Sequence, residues 1–205
     1  MSDPDVWPLP AYDVGQPKHI HALGVAAARY NMLEFALLCL LLDYSGMHNG
    51  TTQYLFANLS NNLRVDLLKR CVADWEQDLP TKECILHFAS CFNVCAENRN
   101  FLMHSTTSKA SDETLLNFVK SSRNDPTRVN AIDLRLEDIR KVADDINDAV
   151  NLGLRLHAHI MLRANNEVIP PEFRALFVSL PDKPQLPSSL SQRNSPTLKG
   201  DQPPR

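Results

Sequence analysis

Arg99, Asn100 and His104 place a permanent cation, an amide and an imidazole within one short stretch, Glu97-Asn98-Arg99-Asn100-Phe101-Leu102-Met103-His104. An imidazole that titrates near neutrality can take a proton from a hydroxyl or return one to a leaving oxygen. A planar guanidinium matches the paired oxygens of a carboxylate or a phosphate. The arginine also stands where the pattern asks for an apolar residue. On a 3.6-residue wheel, Ile85, Phe88, Ala89, Phe92, Cys95, Ala96 and Met103 share one side of the segment, and Arg99 falls among them. Burying the guanidinium unpaired would cost several kcal/mol, so it needs either a carboxylate partner or a cleft open to water and ligand.

Asn100 and His104 are four residues apart and share a helix face. Arg99 and His104 are five apart, roughly 140° around an ideal helix and about 7.5 Å along it. That spacing predicts poor convergence within one chain unless the helix end unwinds. A two-fold axis near Arg99 would bring a second Arg99 and His104 into the same cleft, and a homodimer is the commonest closed assembly. Glu34, set among Met32, Leu33, Phe35 and Ala36, has two readings. It is either a carboxylate at the helix surface or an inward-pointing brace that pairs with Arg99.

The elements that must position these groups follow from periodicity. A first helix is expected over 18–44, stopped by Ser45-Gly46 and the Asn49-Gly50 turn signal. A second is expected over about 51–77, with Leu55, Leu59, Leu63, Leu67 and Leu68 inward and Arg64, Lys69 and Arg70 on a basic exposed side. The third runs from about Thr81 to His104, and 105–111 reads as a loop. Two β-rich runs joined by the turn-forming Ser121-Ser122-Arg123-Asn124-Asp125-Pro126 predict a β-hairpin over about 113–134. The fourth helix, about 136–164, carries Ile139, Val142, Ile146, Val150, Leu154 and Ile160 at helical spacing.

Four long helices with one hairpin between the third and fourth predict an all-α four-helix bundle occupying 18–180. An extended lead-in is expected over 1–17, an amphipathic piece over 172–180, and a disordered proline-rich tail over 181–205. A chain of 205 residues with 43% hydrophobic content can bury a substantial core. Its net charge of -3 argues against coating nucleic acid in bulk, which leaves a local patch as the route to any RNA or DNA. The N-terminus has neither a basic region nor an apolar signal core, and the longest apolar run, Phe35 to Leu42, is short of a membrane span. A cytoplasmic protein without a membrane anchor is the expectation.

Other chemistry-bearing residues fit packing better. The five cysteines, Cys39, Cys71, Cys84, Cys91 and Cys95, lie in apolar helical patterns and read as buried free thiols. His19-x-His21 and His157-x-His159 point to nearly opposite sides of a helix, whereas a helical zinc pair needs a spacing of three or four. No metal site and no cofactor is expected.

The arrangement Arg99-Asn100-x-x-x-His104, at the end of the third of four helices and followed by an insertion, resembles the signature of the HEPN superfamily. The architectural resemblance covers about 18–165, and the motif resemblance only these six residues. It implies a HEPN-like bundle and a metal-independent endoribonuclease acting as a homodimer on RNA. His104 would be general acid or base, Arg99 would hold the scissile phosphate and Asn100 would position it, with Glu34 in support. A 2′,3′-cyclic phosphate product follows from attack by the ribose 2′-hydroxyl. Toxin–antitoxin and phage-defence settings, with an antitoxin or other protein partner, belong to the same resemblance. The alternative is a non-catalytic HEPN-like module that binds RNA, nucleotide or a partner, with Arg99 in a structural ion pair.

Overall fold

A computed structural model describes residues 15–110, 112, 114–121, 129–164 and 179–190. Pro17, whose missing N–H is no loss in a first turn, opens helix α1 (Pro17–Tyr44). Helix α2 (Asn49–Asn58) follows, capped by the His48 ring, whose Nδ1 accepts from the Gly50 amide at 3.2 Å. Helix α3 (Asn61–Trp75) begins at Ser60. Helix α4 (Leu79–His104) begins at Asp78, whose carboxylate accepts from the Thr81 amide at 3.0 Å. Strands β1 (Thr106–Lys109), β2 (Leu115–Ser121) and β3 (Val129–Arg135) form an antiparallel sheet in the order β1-β2-β3. Helix α5 (Leu136–Ala164) completes the sequence, with Glu137 and Asp138 in its first turn.

Helices α1 and α5 pack along most of their length, with α4 and α3 against them. By length and composition α1 could cross a membrane. In this fold its Leu33, Leu37, Leu40 and Leu41 are fully buried in the bundle core. Gly153 lets α5 approach both neighbours: a Cβ there would lie 2.5 Å from the Phe88 ring and 3.0 Å from the Ala36 Cβ. The sheet turns Leu116, Phe118, Ile132 and Leu134 inward, and Phe118 meets Phe101 of α4 with ring centroids 6.1 Å apart. The register pairs Phe118 with Ile132 and Leu116 with Leu134, which keeps the apolar alternation in phase across the two strands.

The molecule is therefore a mostly helical fold with a small antiparallel sheet inserted between α4 and α5, where the hairpin was expected. The stretch expected as one helix over 51–77 is two. Leu59 is extended and Ser60 caps α3, because at the break the side chains bond the backbone themselves: the Asn58 amide donates to the Tyr54 carbonyl at 2.8 Å and the Ser60 hydroxyl accepts from the Leu63 amide at 3.5 Å. The expected loop after His104 contains β1, which pairs Thr107 with Phe118 and makes the hairpin a three-stranded sheet. The expectation of disorder throughout 181–205 is also overturned for 181–190. That stretch runs as an extended strap along α4, burying Leu190 and Ser189. The Asn98 amide holds its end, donating to the Ser188 carbonyl at 2.9 Å and accepting from the Leu190 amide at 2.8 Å. The lead-in as far as residue 14, most of the amphipathic piece over 172–180, and the tail from 191 onward lie outside the described residues.

Candidate functional site

Helix α4 stays intact to His104, and Arg99 and His104 nevertheless converge within one chain. The long arginine side chain spans the angular offset: its Nη1 donates to Asn100 Oδ1 at 3.1 Å and, more weakly, to His104 Nε2 at 3.4 Å. Neither an unwound helix end nor a second subunit is needed to bring the two together. Arg99 and Asn100 are half-buried and His104 is exposed, so the cluster opens to solvent at the histidine.

The guanidinium rests on Tyr30 of α1, with its Cζ 5.3 Å from the ring centroid. A cation over an aromatic face is worth about 0.5–2 kcal/mol, less than full pairing of a buried charge. Arg99 Nε is buried with no hydrogen-bond partner. Among the described residues no carboxylate pairs with Arg99.

Glu34 does not serve as that partner. Its Oε1 accepts from Arg64 Nη1 at 2.8 Å. Arg64 also donates to Asn61 Oδ1 at 2.9 Å and to the Phe56 carbonyl at 2.8 Å, and stacks on the Phe56 ring at 4.1 Å. Arg64 is thus drawn inward from the basic exposed side on which periodicity placed it, and its side chain is only 13% exposed. Asn61 then donates to the Tyr30 hydroxyl at 2.7 Å. Glu34 supports the site through Arg64, Asn61 and Tyr30, at the far end of a chain of contacts. Burial, reinforced by the Glu34 charge, pushes the Tyr30 phenol far up, so it remains a neutral hydroxyl.

Tyr30 and Lys120 escaped the sequence reading. Tyr30 looks like any aromatic core residue of α1. Lys120 lies on β2 with the parity of Leu116 and Phe118, so the alternation turns it toward α4. Its Nζ donates to the Asn100 carbonyl at 3.4 Å and lies 5.8 Å from the Phe101 centroid. A second cation therefore flanks Asn100. The strand parity is the signal that could have found it.

Beside this corner, between α3 and α4, is an open groove of about 590 Å³ lined by Asn61, Asn62, Asp66, Asn93, Glu97 and Asn100 among others. No cation lines it. Asn100 borders both the groove and the cationic corner.

Two other pairings look chemical. His87 Nε2 lies 3.5 Å from Cys91 Sγ, but the thiol is buried, and that burial, with the Asp145 charge, pushes it up to about 11. A thiol held neutral is a poor nucleophile, and His87 is also engaged with the Pro184 carbonyl at 2.8 Å. His157 Nδ1 lies 2.7 Å from Asp43 Oδ2 in a carboxylate–imidazole pair, where no nucleophile touches the histidine among the described residues. Cys39, Cys84, Cys91 and Cys95 are buried free thiols and Cys71 is half-buried. Among the described residues no group of three or more His, Cys, Asp or Glu gathers as a metal site would require.

Compared with protein-family models, with curated proteins and with solved structures, the chain matches none of them.

Proposed function

We propose that the protein is a metal-independent endoribonuclease of HEPN type, with its active site at the end of α4. The observation that carries this reading is the Arg99 guanidinium: a half-buried cation with no carboxylate partner among the described residues, held by Tyr30 and Asn100 beside an accessible imidazole. A structural arginine at that depth would be expected to meet an anion of the protein. This one is left to meet an anion of a ligand.

A phosphodiester arriving at Arg99 competes with His104 for the guanidinium donors. Charge-assisted hydrogen bonds to phosphate oxygens are stronger than one to a neutral imidazole. Binding thus releases the Nε2 lone pair next to the substrate. His104 then takes the proton of the ribose 2′-hydroxyl, O2′ bonds to phosphorus, the P–O5′ bond breaks, and the departing 5′-oxygen takes up a proton. The products are a 2′,3′-cyclic phosphate and a 5′-hydroxyl. Arg99 stabilises the charge gathered on the phosphorane oxygens, and Lys120 attracts a neighbouring phosphate of the same strand.

The same resemblance carries with it a homodimer, a cytoplasmic site of action and a toxin–antitoxin or phage-defence role. For the dimer, Val25, Met32 and Phe35 form an exposed apolar stripe along α1 suited to a second copy, and the mass in solution reads this out.

The test is incubation of the purified protein with structured RNA in EDTA, beside His104→Ala and Arg99→Ala. Wild type cleaves and leaves cyclic phosphate ends, His104→Ala loses about 10²–10⁴-fold in rate, and Arg99→Ala loses about 10²–10³-fold. Equal cleavage by all three, or none by any, overturns the assignment. RNA binding that is unaccompanied by cleavage and lost in Arg99→Ala points to the non-catalytic module instead.

A further inference from the structure

Cations stand on one side of Asn100 and acceptors on the other. Arg99 and Lys120 contact Asn100 from the phosphate-binding side. Beyond it the groove is walled by asparagine amides and the carboxylates of Asp66 and Glu97. A phosphate is repelled from such a groove and a nucleobase is not. Its volume of about 590 Å³ lies within the usual range for a small-molecule site, ample for one base.

From this arrangement we propose that the groove between α3 and α4 is a base-recognition subsite that prefers a base carrying an exocyclic amine, such as adenine, over uracil, placed next to the phosphate held by Arg99. The inference deepens the ribonuclease reading and rests on it for the placing of the phosphate. The lining decides the base. An asparagine amide offers a donor and an acceptor side by side, the complement of adenine N7 and N6–H₂, and Asn62 and Asn93 are both exposed in the groove wall. Asp66, an exposed carboxylate, accepts from the exocyclic amine and turns away the O4 carbonyl of uracil. In an unpaired strand guanine also offers donors, N1–H and N2–H₂, to a carboxylate, and cytosine offers N4–H₂ beside the N3 acceptor, so the discrimination is between bases that carry an exocyclic amine and uracil, which has none.

The far wall is rigid where it matters. Asn61 is held on both ends of its amide, by Arg64 and by the Tyr30 hydroxyl, and Tyr30 lies under Arg99. The subsite and the phosphate site are thereby fixed relative to each other through one tyrosine.

The experiment has two arms. In the first, adenosine 5′-monophosphate and uridine 5′-monophosphate are titrated against the full chain and against the double variant Asn62→Ala/Asn93→Ala. In the second, oligouridylate and the same oligomer carrying a single adenosine are offered for cleavage. The expected result is about tenfold tighter binding of the adenine nucleotide, falling to about equal binding in the variant, and faster cleavage beside the adenosine. Equal binding of the two nucleotides, no binding of either, or a preference that survives the double substitution overturns the subsite. Cleavage without base preference leaves the ribonuclease standing and overturns the subsite. Adenine-selective binding without cleavage does the reverse.

Discussion

At the residue scale the site turns on what an arginine can do that a lysine cannot. Arg99 donates to Asn100 and to His104 while its flat face lies over Tyr30. A lysine ammonium is a point charge on a flexible stem and cannot satisfy all three at once. Arg99→Lys is therefore expected to fold normally and lose about 10²-fold of the proposed cleavage rate, close to Arg99→Ala. Single-turnover kinetics beside thermal melting checks this, and wild-type activity in Arg99→Lys would show that the planar fork is unnecessary. Arg99, Asn100 and His104 were legible from spacing because all three lie within two turns of one helix. The partner of Glu34 was not, because Arg64 reaches it from another helix and no periodicity records which of two arginines arrives.

At the scale of elements α4 has two buried sides. One carries Ile85, Phe88, Phe92 and Cys95 into the bundle core. The other carries Asn98, only 1% exposed, under the strap of 179–190. Removing the Asn98 amide leaves the Ser188 carbonyl and the Leu190 amide unpaired, at about 1–3 kcal/mol for each buried polar group. Asn98→Ala is expected to lower the urea midpoint and to open the strap itself, 179–190, to limited proteolysis. An unchanged midpoint would show that the strap adds no stability. Its prolines and serines carry the compositional signature of disorder. It is ordered because α4 offers backbone partners and an apolar seat for Leu190, an advantage that composition cannot express.

At the scale of the whole molecule the end of the bundle away from the sheet is tied by one carboxylate. Glu76 accepts from the Tyr44 hydroxyl at the end of α1, from Arg163 at the end of α5, and from the Asp78 amide at the start of α4 at 2.8 Å. Burial alone would raise its carboxyl, but these donors, Arg163 foremost, outweigh burial and hold it below the usual carboxylate range. A depressed value in the folded state gives stability that is present above the ordinary range and lost as pH falls through the depressed value. Asp43 has the opposite sign. Burial raises it against the pull of His157, so its contribution is greatest at low pH and declines as pH rises through the raised value. Glu76→Gln is expected to cost about 1–3 kcal/mol at neutral pH and to approach wild type in acid. Urea unfolding at about pH 7 and about pH 3 measures both, and a variant as stable as wild type at neutrality would remove Glu76 from this role.

By itself the sequence determined the long helices, the strands on either side of the hairpin turn, and the gathering of Arg99, Asn100 and His104, since each depends on residues within a few positions of one another. Only the tertiary structure decided that Glu34 pairs with Arg64, that Tyr30 and Lys120 flank the site, and that a polar groove opens beside it. Those contacts join residues far apart in the chain, from 20 positions for Lys120 with Asn100 to 30 for Glu34 with Arg64 and more for Tyr30 with Arg99. Which side chain arrives across such a distance is set by how the helices pack.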